Sequence, residues 1–443
     1  MKGDFSNYRY RPRVNYSSVL KQQGRVALDS DWNEQAKIWD DKFRGFIRDF
    51  LGEFAIPLPP DGFGKTGFNP FKIDNFSSGP GDVIDFSVRQ GVCYLAGHRF
   101  RLENDVTYRT QPDYPEPNLI SGQGDNILVY LEVWNKTVSY IDDETLREPA
   151  LGGPDTCLRK NIVGQISAIL TSDINTREKA EDFVKKMSDK EPLLFTLKID
   201  QSAHQIPFSF GDIDMGGGLI PGNLHLRVEL HRGPKFNGSY EDGFKWSDDN
   251  AATVIRILKT IENNSLILEE TEAITGESLK EGDWVEISNA VTELHRFGGQ
   301  MARIESIEQG ANDILVTLNT DIHPLLRRFN IGDKPKNRIE LYPRLRRWSG
   351  YISPLALKTV YDLGRGMKAI FQARSGFQFN PGDFWTFAIR EREYNKKYAP
   401  NKAAPDGVEV YRHPLAIIKR GKGKKAEIID CRKFFKPLAG FPL

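Results

Sequence analysis

The longest regular pattern of apolar positions runs through "SDWNEQAKIWDDKFRGFIRDFLGEF". Trp32, Ala36, Trp39, Phe43, Phe46 and Phe50 recur at alternating steps of four and three. That spacing lays all six on one face of an α-helix. Ser30 is placed to cap the helix, Asp31 suits its first turn, and Pro57, Pro59 and Pro60 end it. A stripe this aromatic is expected in a core, with a subunit contact as the alternative. The preceding residues 1–28 are polar, aromatic and basic, with Pro12 inside "YRYRPRVNY". They read as an extended arm with little core of its own.

Beyond residue 60 the period changes from helix-like to two. "DVIDFSVRQGVCYLAGHRFRL" alternates around turn residues, and "NILVYLEVWNKTVSYI" is the strongest strand signal. A short helix is expected near 176–188, "TREKAEDFVKKMS", before strands resume at "LLFTLKI" and "LHLRVELHRG". Between about 254 and 322, short strands separated by glycine turns suggest a small barrel or sandwich. The fold class expected is therefore mainly β (α+β), several small sandwich or barrel units with one N-terminal amphipathic helix. Four regions are expected: an arm and helix (1–60), a β-rich domain (61–253), a small barrel-like unit (254–325) and a C-terminal β-rich region (326–443).

Composition narrows the class. The 443 residues exceed one ordinary core, and 39% hydrophobic with 27% charged suits a globular chain. Lys and Arg number 61 against 60 acidic residues, a net +1 that argues against nucleic acid as main partner. "KRGKGKK" (419–425) reads as a solvated hairpin tip. Cys93, Cys157 and Cys431 are scattered and odd in number, so free thiols in a reducing compartment are expected. "MKGDFSNYRY" has no apolar run, so no signal peptide is expected, and no stretch approaches a membrane span. Synthesis in the cytoplasm follows as the expectation.

Motifs with chemical potential are few. "GFGKTGF" (62–68) contains Gly-Lys-Thr, but Pro59 stands where a phosphate-binding loop needs glycine, and no strand–loop–helix context surrounds it. The seven histidines show no i, i+4 pair and no Cys/His cluster, so no metal or cofactor is expected. The acidic pairs Asp142–Asp143, Asp248–Asp249 and Glu269–Glu270 are sequence neighbours, which does not create a two-carboxylate cleft. "EGDWVEI" and "PGDFW" place Trp284 and Trp385 after a turn. Each is expected to pack into its strand, with a sugar-stacking platform as the sharper alternative. "LREPALGGPD" (146–155) raises the same kind of choice, a catalytic loop or a corner. Gly152, Gly153 and Pro154 favour a tight corner, braced by Arg147 and Glu148.

Several segments carry a family resemblance. "MKGDFSN", "QQGRVALDSDWNEQ" (22–35) and "VYLEVWNKTVSYIDDETLREPALGGPDTCLRKNIVGQI" resemble the signatures of a bacterial family classed as a domain of unknown function. So do "TYRTQPDYP" (107–115), "FKWSDDN" (244–250), "GDWVEI" (282–287), "HPLLRRF" (323–329), "GDFWTFAIR" (382–390) and "DCRKFFKPL" (430–438). Members of that family accompany phage-tail-like particles, especially extracellular contractile injection systems. The resemblance implies a structural component, at the baseplate or its surrounding cage, ending in a cell-released particle. It implies baseplate, sheath or tube proteins as partners, with a homo-oligomer inside the assembly. The family domain alone is expected here, which counts against an independent adhesin. Tyr8, Tyr10, Arg11, Arg13 and Tyr16 are the expected anchors on a neighbour. A glycan or cell-surface binding module is the second reading and a cell-wall hydrolase the third.

Overall fold

The structure is a computed structural model that describes residues 2–6, 14–58, 69–78, 84–115, 117, 126–189, 191–199, 224–234, 239–270, 278–310, 313–322, 342–389, 399–420 and 426–437. It is mainly β: among these residues, strands form five open sheets and one closed barrel. The described α-helices are α1 (Asp29–Leu51), α2 (Arg177–Ser188) and the short α3 (Ala290–Leu294).

The first core forms around a long hairpin. Asn126–Val138 and Arg159–Thr171 pair antiparallel from Asn126–Thr171 to Val138–Arg159. One face, Ile127, Val129, Leu131 and Val133, enters the main core, while Leu128 and Tyr130 pack with Ala180 and Val184 of α2. Burial on both faces explains why this strand reads as a continuous apolar run rather than an alternation. Thr176 caps α2 by accepting from the Lys179 N–H. Tyr411–Lys419 lies on the hairpin's other edge, with Glu427–Asp430 outside it. Two further sheets contribute to the same core, one of Phe54–Pro57, Gly91–Leu95, His98–Leu102 and Phe434–Phe435, the other of Ile73–Ser78, Ile84–Val88 and Val106–Thr107.

A second core lies between two smaller sheets. Leu224–Pro234 is central, flanked by Tyr240–Ser247 and Phe384–Ile389, with Gly350–Ile352 at the edge. Leu194–Ile199, Met367–Gln372 and Val360–Gly364 supply the other sheet, and Phe195, Phe244, Phe371 and Trp385 fill the space. The third core is the barrel. Val254–Thr260, Ser265–Glu269, Asp313–Leu318, Gln300–Gln309, Trp284–Ser288 and Arg344–Trp348 close in that order around Ile255, Leu266, Val285, Ile304, Val316 and Leu345. Its last strand bonds both Val254–Thr260 and Trp284–Ser288. The segment after residue 326 thus builds no sheet of its own among the described residues. Its strands complete the barrel and both other cores.

Helix α1 departs from its expected orientation. Its aromatic stripe faces outward: Trp32 is 69% exposed, Trp39 62%, Phe43 65%, Phe46 57% and Phe50 71%. The expectation that this stripe is core is overturned. The side turned inward carries Ile38, Arg44 and Ile47. Arg44 fastens it, donating from Nε to the Ala96 carbonyl at 3.2 Å and from Nη2 to the Tyr411 hydroxyl at 2.7 Å. Gly97 lets the helix approach, since a Cβ there would lie 2.6 Å from the Arg44 carbonyl oxygen. Ser30 is not the cap. It is helical and buried, Leu28 holds the N-cap position, and Asp31 accepts the Leu28 N–H at 3.3 Å. The helix ends ahead of the prolines at Gly52, whose φ of 75° needs no Cβ.

Candidate functional site

The segment 146–155 is a corner that joins two cores. Pro149–Leu151 forms a 3₁₀ turn, Gly152 is left-handed (φ 79°), and Gly153 has φ 90°. The Glu148 carboxylate accepts the Ala150 N–H at 3.1 Å, and the Glu148 N–H donates to the Pro154 carbonyl at 2.9 Å. Arg147 Nη2 donates to both oxygens of Glu269, on the barrel, at 2.7 and 2.8 Å, and its guanidinium covers the Tyr140 ring at 4.2 Å. Arg147 also donates to the Gly153 carbonyl at 3.3 Å. These contacts tie the end of the long hairpin to the barrel. They give Arg147 and Glu148 structural partners, not reactive ones.

A cavity of about 1040 Å³ opens where α1, the first core, the central strand Leu224–Pro234 and the barrel meet. The N-terminal residues 2–5 line it. Gly3 and Asn250 exchange bonds, the Asn250 amide donating to the Gly3 carbonyl at 2.9 Å, and the Phe5 carbonyl lies 3.0 Å from His225 Nδ1. The Ser6 N–H donates to Asp29 of α1 at 2.9 Å. Lys2 reaches Glu229 at 2.9 Å.

Behind Lys2 lies a buried ionic cluster. Lys245, with its side chain 1% exposed, contacts Glu229 at 3.3 Å and Glu286 at 2.6 Å. Arg227 pairs with Glu229 at 2.7 Å. Glu286 also accepts from Trp348 Nε1 at 3.0 Å and the Gly299 N–H at 2.9 Å. Burial works to raise the Glu229 carboxyl, but Lys2, Arg227 and Lys245 outweigh it and hold it well below the usual range. Burial likewise opposes ionisation of Glu286, and Lys245 and Lys2 override it. Burial, aided by Lys245, pushes His231 down to about 3. Its approach to Glu286 at 3.9 Å is therefore the contact of a neutral ring, not an ion pair. Two held carboxylates and a neutral imidazole do not make a proton donor–acceptor pair at neutral pH. Nearby, Arg344 pairs with Asp142 at 2.8 Å and Glu293 at 3.3 Å, while Arg346 donates to the Ala251 carbonyl.

This cluster went unread in the sequence, although "LHLRVELHR" carries its signal. His225, Arg227, Glu229 and His231 alternate with Leu226, Val228 and Leu230, which ordinarily marks one wet face. Here both faces are covered, and the polar one is the ionic junction.

The other sequence-marked residues are dispersed. Trp385 is 2% exposed, its Nε1 donating to the Ala403 carbonyl at 3.0 Å, so it offers no ring face to a sugar. Trp284 is partly exposed, but Arg303 covers its ring at 4.7 Å and Tyr351 meets it edge-on. Tyr16 is exposed, while Tyr8, Tyr10, Arg11 and Arg13 lie outside the described residues, as do "GFGKTGF" and "HPLLRRF". Cys93 and Cys431 are buried and Cys157 exposed, all as free thiols. Among the described residues, no three His, Cys, Asp or Glu side chains converge as a metal site, and no helix is long and apolar enough to cross a membrane.

The outward face of α1 is the largest anomaly. The steps of four and three place Trp32, Trp39 and Phe46 at d positions of a heptad, and Ala36, Phe43 and Phe50 at a positions. From Trp32 to Phe50 the seam is about 27 Å long at the α-helical rise. The stretch before it, 14–28, adds exposed Val14, Tyr16, Leu20, Val26 and Leu28, and the Val19 N–H donates to Gln35 of α1 at 2.6 Å. Among the described residues, ten of the eighteen exposed large hydrophobic residues lie between 14 and 50, so the exposure is one surface rather than scatter.

Comparison with known proteins bears on the first part of the chain. The model of a family of unknown function (DUF6519) matches residues 1–191, which span the arm, α1, the corner and α2. No curated protein and no solved structure matches the chain.

Proposed function

We propose that this chain is a structural subunit of a larger assembly and, following the resemblance of its sequence, of a phage-tail-like extracellular contractile injection particle, at the baseplate or its surrounding cage. The observation that carries the reading is the outward aromatic face of α1. Five large rings left in water on a helix that packs inward through Ile38, Arg44 and Ile47 are costly for an isolated molecule, and they suit a surface covered in a complex. On this reading the chain performs no reaction of its own. The internally paired state of Glu229, Glu286 and Asp142 supports that, since each acid already serves a cation of the fold. Its partners are other particle subunits and further copies of itself. It is made in the cytoplasm and ends in the released particle.

The test is quantitative mass spectrometry of particles purified from the native cell, with and without Trp39→Glu and Phe43→Glu. A fixed ratio to the baseplate proteins, lost in the double variant, supports the reading. Trace amounts that vary between preparations overturn it and return the glycan-binding and hydrolase readings to the front.

A further inference from the structure

We propose that α1 forms a two-stranded antiparallel coiled coil with α1 of a second copy of this chain. This deepens the subunit reading and rests on it. The seam dictates the class of occupant. An apolar strip confined to a and d positions is narrower than the face a helix turns to a globular core, and it is the form that another helix fills, knob into hole.

The order of residues along the seam points to the same helix as the occupant. Turned antiparallel about a two-fold axis near Asp41, Trp32 meets Phe50 of the partner subunit, Ala36 meets Phe46 of the partner subunit, and Trp39 meets Phe43 of the partner subunit. The two-fold axis makes each pairing twice, so all six seam positions are matched and none is left over. The single small seam residue, Ala36, falls opposite a ring, which gives that ring room. A parallel arrangement instead stacks Ala36 on Ala36 and Trp on Trp, alternating a gap with a bulge. The antiparallel sense also opposes the two helix dipoles.

Charges near the axis permit the pairing. Asp40 is already paired with Lys37 at 3.4 Å, and Lys42 is exposed, so its ammonium stays in water. The area is of the right size. At 57–71% exposure, the five rings offer about 650 Å² per chain. That exceeds the few hundred Å² of apolar patch a typical monomer leaves open and approaches the roughly 800 Å² per partner of a standard interface. The helix's own domain stands behind it, on the Ile38, Arg44 and Ile47 side.

The experiment uses the full purified chain in sedimentation velocity over a concentration series. Wild type is expected at twice the 50.4 kDa chain mass. Trp39→Glu with Phe43→Glu should weaken association about 100-fold or more and leave the thermal unfolding of the monomer in place. Register is read separately in a Cys157→Ser background. Ala36→Cys with Phe46→Cys should give a disulfide-linked dimer on mild oxidation, and Ala36→Cys alone should not. A monomeric wild type, a polydisperse aggregate, or cross-linking by Ala36→Cys alone overturns the proposal. A monomer that still enters particles at fixed ratio removes self-pairing and leaves the subunit reading standing.

Discussion

Replacing Lys245 by Met isolates the buried ionic junction. The side chain is 1% exposed and its ammonium lies 3.3 Å from Glu229 and 2.6 Å from Glu286. Glu229 keeps Arg227 and Lys2 after the substitution. Among the described residues, Glu286 keeps only neutral donors at contact distance, Trp348 Nε1 and the Gly299 N–H. The loss therefore falls mainly on Glu286, an ionised carboxylate left in a buried site. Stranding one member of a buried pair costs about 3–5 kcal/mol, against about 0.5 kcal/mol or less for a surface substitution. Adding Glu286→Gln to Lys245→Met should recover most of it, leaving about 1 kcal/mol.

The pH dependence follows from sign. In wild type the Glu286 carboxyl is depressed, so its stabilisation is present above the unfolded carboxyl range and is lost as pH falls through the folded value. Without Lys245, burial raises that carboxyl instead, and its penalty fades as pH drops. The gap between wild type and variant is thus widest near pH 7 and narrows toward pH 4. Urea unfolding followed by tryptophan fluorescence at both pH values measures it. A gap below about 1 kcal/mol at pH 7, or one that widens on acidification, would show that Lys245 is not what holds Glu286 ionised.

Further consequences concern single sites. Burial raises Asp383 to about 7 against the Asn380 amide and the charge of Arg296, so stability is lost as pH climbs from the unfolded carboxyl value to about 7. Asp383→Asn should raise the free energy of unfolding at pH 8 by about 1–3 kcal/mol, and change little at pH 4. Gly152→Ala forces a side chain into a left-handed position and should cost about 1 kcal/mol, read as a lower melting temperature. Trp385→Ala should destabilise by about 3–5 kcal/mol, whereas Trp284→Ala, at the partly exposed position, should cost clearly less. Equal effects of the two in calorimetry would contradict their different burial.

The elements were more legible than their partners. The period of Trp32 to Phe50 specified a helix, but a periodic stripe shows where apolar surface lies, not what covers it. The inward anchoring through Arg44 depends on Ala96 and Tyr411, remote in sequence and unmarked by any local pattern. "GDWVEI" and "GDFWTF" look alike, yet Trp284 meets a barrel exterior and Trp385 a sandwich core, because the strands beside them differ. The barrel's glycine-spaced strands could be read locally, while its closing strand, Arg344–Trp348, arrives from beyond residue 326. Tyr411–Lys419 pairs with a strand near residue 130 for the same reason. Pairings between distant strands are settled by burial of shared cores, not by the residues of either strand alone. Glycine turns behaved locally: the αL conformation of Gly152 is written in its sequence context.

A subunit role requires that the outward aromatic face of α1 be covered in the working assembly. Hydroxyl-radical footprinting of Trp32, Trp39 and Phe43, on the purified chain at high dilution and again in the intact particle, tests it most directly. Strong oxidation of the three rings in the dilute chain and protection in the particle is the predicted result. Equal oxidation in both, with the protein present in the particle at fixed ratio, would mean that this face stays in water and the requirement is not met.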